Sequence, residues 1–471
     1  MTGIVVDAMP PRFGAIARIF RDTRGASATI VAIALPVLIG FGALGAETGV
    51  WFTLKLRNQS AADAAALAAA YEVIAGRTNV TADLTPAASE GAVRNGYNGG
   101  TPAVIYPYSD TTVSNGVGAN LQQTLGAVLA SMFLTQVSVA TKAVAVIEVL
   151  DNPCILALAG SGTALEIQPG THLDMPNCSA AANSIGASAV ELKDTTGSVT
   201  AATLVTAGEV SLQGSPIDPM APPPEFLLAS PAMIGAPSVA DPYASTLTHG
   251  FLTSLMPTAG GCASSSTAGL TTYSGNCVVA ATSLTTAGIK LTGNTQIAGS
   301  WTVLTAQTVD LAPGTYWVTG NLTVQSSGVL KCSTCDNVAG TGVTIILTTR
   351  TNKVGALSIA SGALLNLNAP SSGHFAGLAL IQDSNGMPTG TSYTSHHSSI
   401  GGRQGATLNG LIYFPNSSLT FHGKPSASGP RCLVLVVDSV NVNSGSNLDA
   451  GGCASAGLIS LPTVNNVALA E

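Results

Sequence analysis

The sequence predicts a mainly β fold with an N-terminal helical part, and three observations support this. An uncharged apolar stretch near the amino end is long enough to cross a membrane. An alanine-rich segment of high helix propensity follows it, and beyond residue 150 short apolar segments alternate with glycine. We therefore expect a single transmembrane helix, a long helix, a small α+β unit, and then a right-handed parallel β-helix or β-solenoid. A β-sandwich is the alternative.

The composition narrows the function classes. Only 9% of the residues are charged, against about 25% in an ordinary soluble domain, and 46% are hydrophobic. This argues against a cytosolic enzyme surface and against disorder driven by charge. The net charge is −7 and the 17 basic residues form no cluster, so we expect no nucleic-acid partner.

The membrane segment is the uncharged stretch 26–46, which at 1.5 Å per residue covers a hydrocarbon layer of roughly 30 Å. Pro36 lies inside it. Four arginines precede it, so the positive-inside rule places residues 1–25 in the cytoplasm and the chain after Glu47 outside. We expect a single-pass protein of a bacterial inner membrane whose bulk is periplasmic or extracellular. Cleavage of the stretch as a secretory signal, near residue 45, is the alternative.

The segment 47–150 is predicted to be a juxtamembrane helix with a small α+β unit. The helix covers about 52–75 and contains AADAAALAAA at 61–70. Its alanine face either packs on its own domain or lets another helix approach closely as an assembly surface. Residues 77–120 are rich in turn formers. A second amphipathic helix is expected from about Leu121 to Phe133, and a half-buried strand follows over 137–149.

The remainder is predicted to be β structure in two parts. Short-strand repeats over 151–215 are separated from a β-helix-like domain at 246–455 by a linker at 216–245 with eight prolines, and a tail covers 456–471. Three segments of the larger part end alike in Ser-Gly, where a solenoid would turn a corner. Residues 343–347 and 433–437 are continuously apolar, as in strands buried on both faces, which favours a β-helix over a sandwich.

All eight cysteines lie beyond residue 150, and they fall into successive close pairs. An even number downstream of a membrane segment indicates disulfides in an oxidising compartment. We expect neighbour pairing, namely Cys154 with Cys178, Cys262 with Cys277, Cys332 with Cys335, and Cys432 with Cys453. The alternative makes Cys332 and Cys335 half of a zinc or redox site, but no second close pair of ligands accompanies them.

One constellation of ionisable residues is a candidate for metal binding or acid/base chemistry, if the loop 384–402 folds over the preceding strand. Its members are His374, Asp383, His396, His397 and His422. Adjacent histidines in a Ser/Thr/Gly loop are usually solvated, and Asp383 followed by Ser-Asn-Gly resembles an Asx turn. We therefore expect no catalytic residues, no metal, no cofactor and no enzyme activity.

The amino-terminal part resembles the TadE/TadG-type proteins of the tight-adherence (Flp) pilus assembly system. The resemblance covers roughly 20–75 and rests on the order of Arg24-Gly25, the span, Glu47, Trp51 and AADAAALAAA. A looser resemblance, from Cys154-Ile-Leu-Ala-Leu to LIYFPNSSLTF, links the later chain to regions that accompany this module in bacterial envelope proteins. The resemblance implies pilus assembly or surface adhesion, with membrane lipid and other pilus-assembly proteins as partners.

The sequence departs from the family at one informative position. Pseudopilin-like members carry a glutamate five residues after the glycine, where this chain has Ile30. The resemblance therefore implies an uncleaved TadG-like anchor rather than a minor pilin processed after Gly25. The sequence contains no adhesion motif of the Asp-x-Ser-x-Ser kind. A β-solenoid that binds cell-wall or surface glycan is the alternative function, followed by a polysaccharide-cleaving enzyme.

Overall fold

The computed structural model describes the residues in the following ranges: 23–111, 113, 115–128, 131, 134–151, 153–258, 260–336, 340–350, 354–384, 397–402, 406–423, 432–443, 446–447 and 464–470. These residues fall into two compact units, divided between Glu148 and Val149, with Val467 onward joining the first. The expected mainly β fold with an N-terminal apolar helix is confirmed.

The first element is one continuous helix, α1 (Thr23–Ile74), of 52 residues. The sequence predicted a span and a separate long helix, but no break occurs, and Pro36 is accommodated within the helix. The helix ends at Ile74, and Gly76 follows with a φ of +79° that favours glycine. Among the described residues, α1 is long and apolar enough to be a candidate membrane span, and only 6% of its most apolar window is buried within the protein.

The first unit adds a second helix and a small sheet. Its elements are a short π-helical turn (Val80–Leu84), α2 (Thr85–Arg94), β1 (Ala103–Tyr108), β2 (Gly116–Gly126), β3 (Gln136–Asp151) and a C-terminal strand (Val464–Leu469). The sheet order is β1-β2-β3-C-terminal strand, and β1-β2 and β2-β3 are antiparallel. The predicted strand over 137–149 is confirmed by β3.

One sequence prediction for this unit is wrong. The helix expected from Leu121 to Phe133 is absent over 121–126, which belongs to β2 and pairs with β3 along eleven residues. The apolar residues at helical spacing favour a helix here, but the pairing with β3 stabilises the strand more. The segment 77–120, described above as rich in turn formers, also contains α2 and β1. Gly91, which lowers helix propensity, lies in α2 because it allows close packing: a Cβ there would lie 2.8 Å from the Ala64 carbonyl oxygen.

The alanine face of α1 is the core of the first unit. Six of its alanines are fully buried: Ala61, Ala62, Ala65, Ala66, Ala69 and Ala70. They share a hydrophobic cluster with Ala88 and Ala92 of α2 and with Val117, Ala119 and Leu121 of β2. Of the two interpretations of this face, packing within its own unit is the one that the structure shows.

The second unit consists of short strands joined by tight connections. From the N-terminal side they are β4 (Pro153–Ala157), β5 (Leu165–Ile167), β6 (His172–Met175), β7 (Ser179–Ala182), β8 (Val190–Leu192), β9 (Ser198–Ala201), β10 (Leu204–Thr206), β11 (Val210–Leu212), β12 (Ser215–Pro216) and β13 (Phe226–Leu228). A short helix, α3 (His249–Ser254), follows.

The larger group begins with β14 (Ala263–Thr267), β15 (Leu270–Ser274), β16 (Cys277–Ala280), a 3₁₀ turn (Ala281–Ser283), β17 (Gly288–Thr292), β18 (Thr295–Ala298), β19 (Trp301–Val303), β20 (Thr308–Leu311), β21 (Gly314–Val318), β22 (Leu322–Val324) and β23 (Val329–Lys331). It continues with β24 (Val343–Leu347), β25 (Leu357–Ile359), β26 (Leu364–Asn368), β27 (Leu378–Gln382), β28 (His397–Gly402), β29 (Thr407–Gly423), β30 (Leu433–Val442) and β31 (Ser446–Asn447).

Parallel pairing between strands three apart in chain order organises this group. From β17 to β26, each strand pairs in parallel with the strand three later, so that three stacks of strands run side by side. The register aligns apolar residues in ladders that extend through a stack. One ladder contains Val303, Val324, Ile359, Ile400, Phe421, Val442, Ile167, Leu192 and Leu212.

This ladder also shows that the predicted division of the β region does not separate two units. After Val442 it continues at Ile167, because β30 pairs in parallel with both β4 and β5. The repeats at 151–215 therefore stack on the last strand of the larger group, and both belong to the second unit. Sequence could not show this because the paired strands are far apart along the chain.

The predicted linker 216–245 is packed rather than free. We call residues 236–256 the strap. Its Tyr243, Leu247, Leu252 and Met256 are buried in one cluster with residues of β21, β24, β27, β29 and β30. The Asn183 side chain accepts a hydrogen bond from Val239 N at 2.7 Å and donates one to Val239 O at 2.8 Å. The linker contains one short strand, β13, and its proline density does not prevent burial.

The strap explains the continuously apolar strands. All five residues of β24 and the first five of β30 are buried. In β24, Ile345 belongs to the interior cluster, whereas Ile346 lies in the cluster under the strap. Burial on both faces, predicted for 343–347 and 433–437, is confirmed.

Three of the expected neighbour disulfides are present: Cys154–Cys178, Cys262–Cys277 and Cys332–Cys335. Cys432 is also disulfide-bonded. Its expected partner, Cys453, lies outside the described residues. Since Cys332 and Cys335 are bonded to each other, they do not form half of a zinc site.

Candidate functional site

A buried polar network fastens the strap to the second unit. Asp383 directly follows β27, and its side chain is fully buried. His249 Nδ1, from α3, lies 2.6 Å from Asp383 Oδ2, and the Thr348 hydroxyl donates to the same oxygen at 2.6 Å. Thr248 caps α3 by accepting from Phe251 N, which fixes the position of the helix start beside His249.

A second polar contact lies along the same strap. The Tyr413 hydroxyl donates to Asp241 Oδ2 at 2.8 Å, and the Tyr243 ring packs edge-on against the Tyr413 ring with centroids 5.5 Å apart. Burial, reinforced by the negative charge of Asp241, raises the pKa of Tyr413 above its ordinary value. Tyr413 is therefore a neutral hydrogen-bond donor at physiological pH. This contact and the pair around Asp383 clamp the strap at two points.

The structure distributes the predicted constellation rather than assembling it. Asp383 joins the network, but its partner is His249, which the sequence prediction missed because it lies 134 residues away. The His374 ring instead packs against Phe251, with centroids 5.8 Å apart. His397 Nδ1 lies 2.5 Å from the Ser418 hydroxyl. The backbone of His422 lies in β29, and His396 is outside the described residues.

The carboxylate of this network is buried within the protein. Within the part of the chain that the structure describes, no three His, Cys, Asp or Glu residues come together as a metal site. Asp383 is enclosed by His249 and Thr348 and is not exposed to a substrate. A sequence signal for the missed partner did exist: Asp241, Tyr243 and His249 are polar or aromatic residues concentrated in one short segment.

Two shallow grooves flank the segment 371–375 on the surface of the second unit. One has a volume of about 380 Å³ and is lined by Asn294, Thr315, Trp317, Ser372 and His374 among others. The other, of about 390 Å³, is lined by Tyr243, Phe251 and His374 among others. The indole N–H of Trp317 is buried and has no hydrogen-bond partner. These grooves therefore offer aromatic faces together with amide and hydroxyl groups.

In the first unit, α1 presents two different faces. Glu47, Asn58 and the alanines are buried on one face, whereas Val50, Phe52 and Leu56 are more than half exposed. Earlier in the helix, Ile30 to Phe41 is almost continuously exposed and apolar. The helix thus combines a candidate span with a segment that is half core and half free surface.

Part of this helix is similar to a known family. Residues 25–72 match the family model described as putative Flp pilus-assembly TadE/G-like. They form a TadE/G-like segment. No curated protein and no solved structure matches the chain.

The TadE/G-like segment ends within two residues of the end of α1, and its buried face is the alanine face described above. The predicted resemblance at roughly 20–75 is therefore confirmed. The match does not extend to the second unit, whose strap and grooves have to be interpreted from their own residues.

Proposed function

We propose that this chain is a membrane-anchored, non-enzymatic protein of the bacterial envelope that takes part in assembling the tight-adherence (Flp) pilus, or in surface adhesion. The observation that supports it most strongly is that the TadE/G-like segment coincides with the apolar part of α1. The anchor lies in the inner membrane with residues 1–25 in the cytoplasm. The disulfides favour an oxidising compartment for the second unit.

The second unit is, in this proposal, a parallel β-helix that serves as a rigid exported body. The three-apart pairing and the long apolar ladders support this interpretation. A right-handed coil is expected, because parallel crossover connections are right-handed in about 98% of cases. The antiparallel β12 and β14 lie at the ends of the stacks, where they protect the edges from further pairing.

Contact with other pilus-assembly proteins is assigned to the exposed face of the TadE/G-like segment. Val50, Phe52 and Leu56 are 57%, 63% and 57% exposed, respectively. A photo-crosslinking amino acid at Leu56 should capture a pilus-assembly component in cells. The same amino acid at Val93, an equally exposed apolar position of α2, is the matched control. Absence of a crosslink at Leu56 together with normal piliation in a deletion strain would contradict the proposal.

A glycan ligand for the second unit is the second candidate function, supported by the two grooves beside His374. Phe251 and His374 provide ring faces, and the unpaired Trp317 indole N–H lies in a residue that lines one groove. Binding of the full chain to a glycan array, lost in His374→Ala but kept in His397→Ala, would favour this function. Equal binding by both variants would remove the grooves from consideration.

A further inference from the structure

We infer that the β2–β3 hairpin forms a second contact with the membrane, beside the span. This inference rests on the proposed membrane anchoring through α1. We define the hairpin tip by its described residues Ala127, Val128, Leu134 and Thr135. Ala127 N donates to Thr135 O at 3.2 Å, which closes the hairpin immediately beyond β2 and β3.

The hairpin tip is tied to the outer end of the span. Val128 N donates a hydrogen bond to Glu47 Oε1 at 2.7 Å, and Glu47 is only 7% exposed. Glu47 directly follows the uncharged stretch 26–46, whose length matches a hydrocarbon layer of about 30 Å. The bond therefore holds the backbone of Val128 at the level where the hydrocarbon layer meets the headgroups.

Two exposed side chains of the hairpin tip, Val128 and Leu134, are apolar, and Thr135 beside them is exposed and polar. Val128 is 76% exposed and Leu134 is 46% exposed, although both are large hydrophobic residues. The sequence 127–135, AVLASMFLT, contains no charge. Exposed apolar side chains beside a membrane span are stabilised when they enter the interface between headgroups and acyl chains, because apolar area is removed from water. The occupant of this surface is therefore lipid.

This contact would fix the orientation of the first unit on the membrane. A single helix allows rotation about its axis and tilting, whereas a second apolar contact beside it restrains both. The exposed face with Val50, Phe52 and Leu56 would then point in a defined direction along the membrane plane. That restraint is useful for a surface that has to meet other membrane-bound components.

Tryptophan quenching by lipids with brominated acyl chains tests the inference on the full chain in nanodiscs. Two of the three native tryptophans, Trp301 and Trp317, are 0% and 2% exposed and give a constant background. Trp51 is replaced by Phe. In this background, Val128→Trp, and independently Leu134→Trp, should lose fluorescence when brominated lipid replaces ordinary lipid.

Two control variants define a position that should be quenched and a position that should not. Phe41→Trp, inside the span and 70% exposed, should be quenched because α1 crosses the bilayer. Val93→Trp should not be quenched, since α2 packs against Ala64, about 25 Å further along the helix than Glu47 at 1.5 Å per residue. Quenching at Phe41→Trp without quenching at Val128→Trp or Leu134→Trp overturns this inference alone. Absence of quenching at all three positions overturns the membrane anchoring as well.

Discussion

Strand β1 of the first unit and strand β24 of the second unit bury their side chains in different ways. In the first unit, β1 alternates between exposed and half-buried residues along its whole length, because helices cover one face only. In the second unit, all five residues of β24 are buried, because the interior covers one face and the strap covers the other. A strand whose residues alternate between exposed and buried therefore indicates that one face of the sheet is covered. A continuously apolar strand indicates that another element of the chain covers the second face as well.

The largest expected effect tests this contrast in adjacent residues. Ile345→Ala and Ile346→Ala should each lower the free energy of unfolding by about 2–5 kcal/mol, because each leaves a cavity on a covered face. In β2, Leu121→Ala should have a similar cost, but the exposed Gln122→Ala should change stability by less than about 0.5 kcal/mol. Pulse proteolysis of the full chain in urea measures all four. A near-neutral Ile346→Ala would show that the strap does not cover β24.

The next effect concerns the disulfides of the second unit. Cys154–Cys178 closes a loop of 24 residues in sequence separation, whereas Cys332–Cys335 spans only 3. Loop-closure entropy predicts that replacing the first pair by alanine costs about 2 kcal/mol more than replacing the second. Urea titration of the two double variants under oxidising conditions provides the comparison. If both double variants lose the same free energy of unfolding, restraint of the unfolded chain is not the main contribution of these disulfides to stability.

A smaller effect tests the alanine face of the first unit. Ala65→Leu should destabilise the unit by about 1–3 kcal/mol, because the larger side chain has no space between α1, α2 and the sheet. Tyr71→Leu, at a position 44% exposed, is the matched control and should change little. Thermal melts of both variants in detergent measure the difference. If the melting temperature of Ala65→Leu is unchanged, the alanine face is not tightly packed within its own unit, which would favour its interpretation as an assembly surface.

The smallest effect is a pH dependence in β30. Burial raises the pKa of Asp438, partly opposed by the Ser439 hydroxyl. A carboxyl whose pKa is raised on folding stabilises the folded state least at high pH, since the charge is then forced into the buried site. Asp438→Asn should therefore unfold at a higher urea concentration than the native chain at pH 7, and this gain should vanish below about pH 3. A gain that increases on acidification would contradict the assignment.

Local patterns were sufficient for part of this fold. They predicted the apolar helix that is a candidate span, the alanine helix, β3, the short-strand texture and three of the neighbour disulfides, because each depends on residues close in sequence. They were insufficient where a distant partner decides the structure. Leu121 became part of a strand because β3 was available to pair with it, and β4 stacks on β30 although more than 270 residues separate them.

The candidate site shows the same limit. Asp383 could be selected from sequence, because a carboxylate after an apolar strand is unusual in a chain with so few charges. Its partner could not, because only the course of the strap brings His249 to within 2.6 Å of it. In the structure the Asp383 side chain is buried, and it belongs to the network that fastens the strap.

The central claim is that α1 anchors an exported body, and lysine labelling tests it most directly. A membrane-impermeant amine reagent is added to intact spheroplasts and, separately, to lysed cells, and labelled lysines are identified by mass spectrometry. Lys55, exposed in α1 shortly after the span, and Lys290, in the second unit, should be labelled in intact spheroplasts while cytosolic proteins are not. Labelling of both lysines only after lysis would place the body in the cytoplasm and contradict the account.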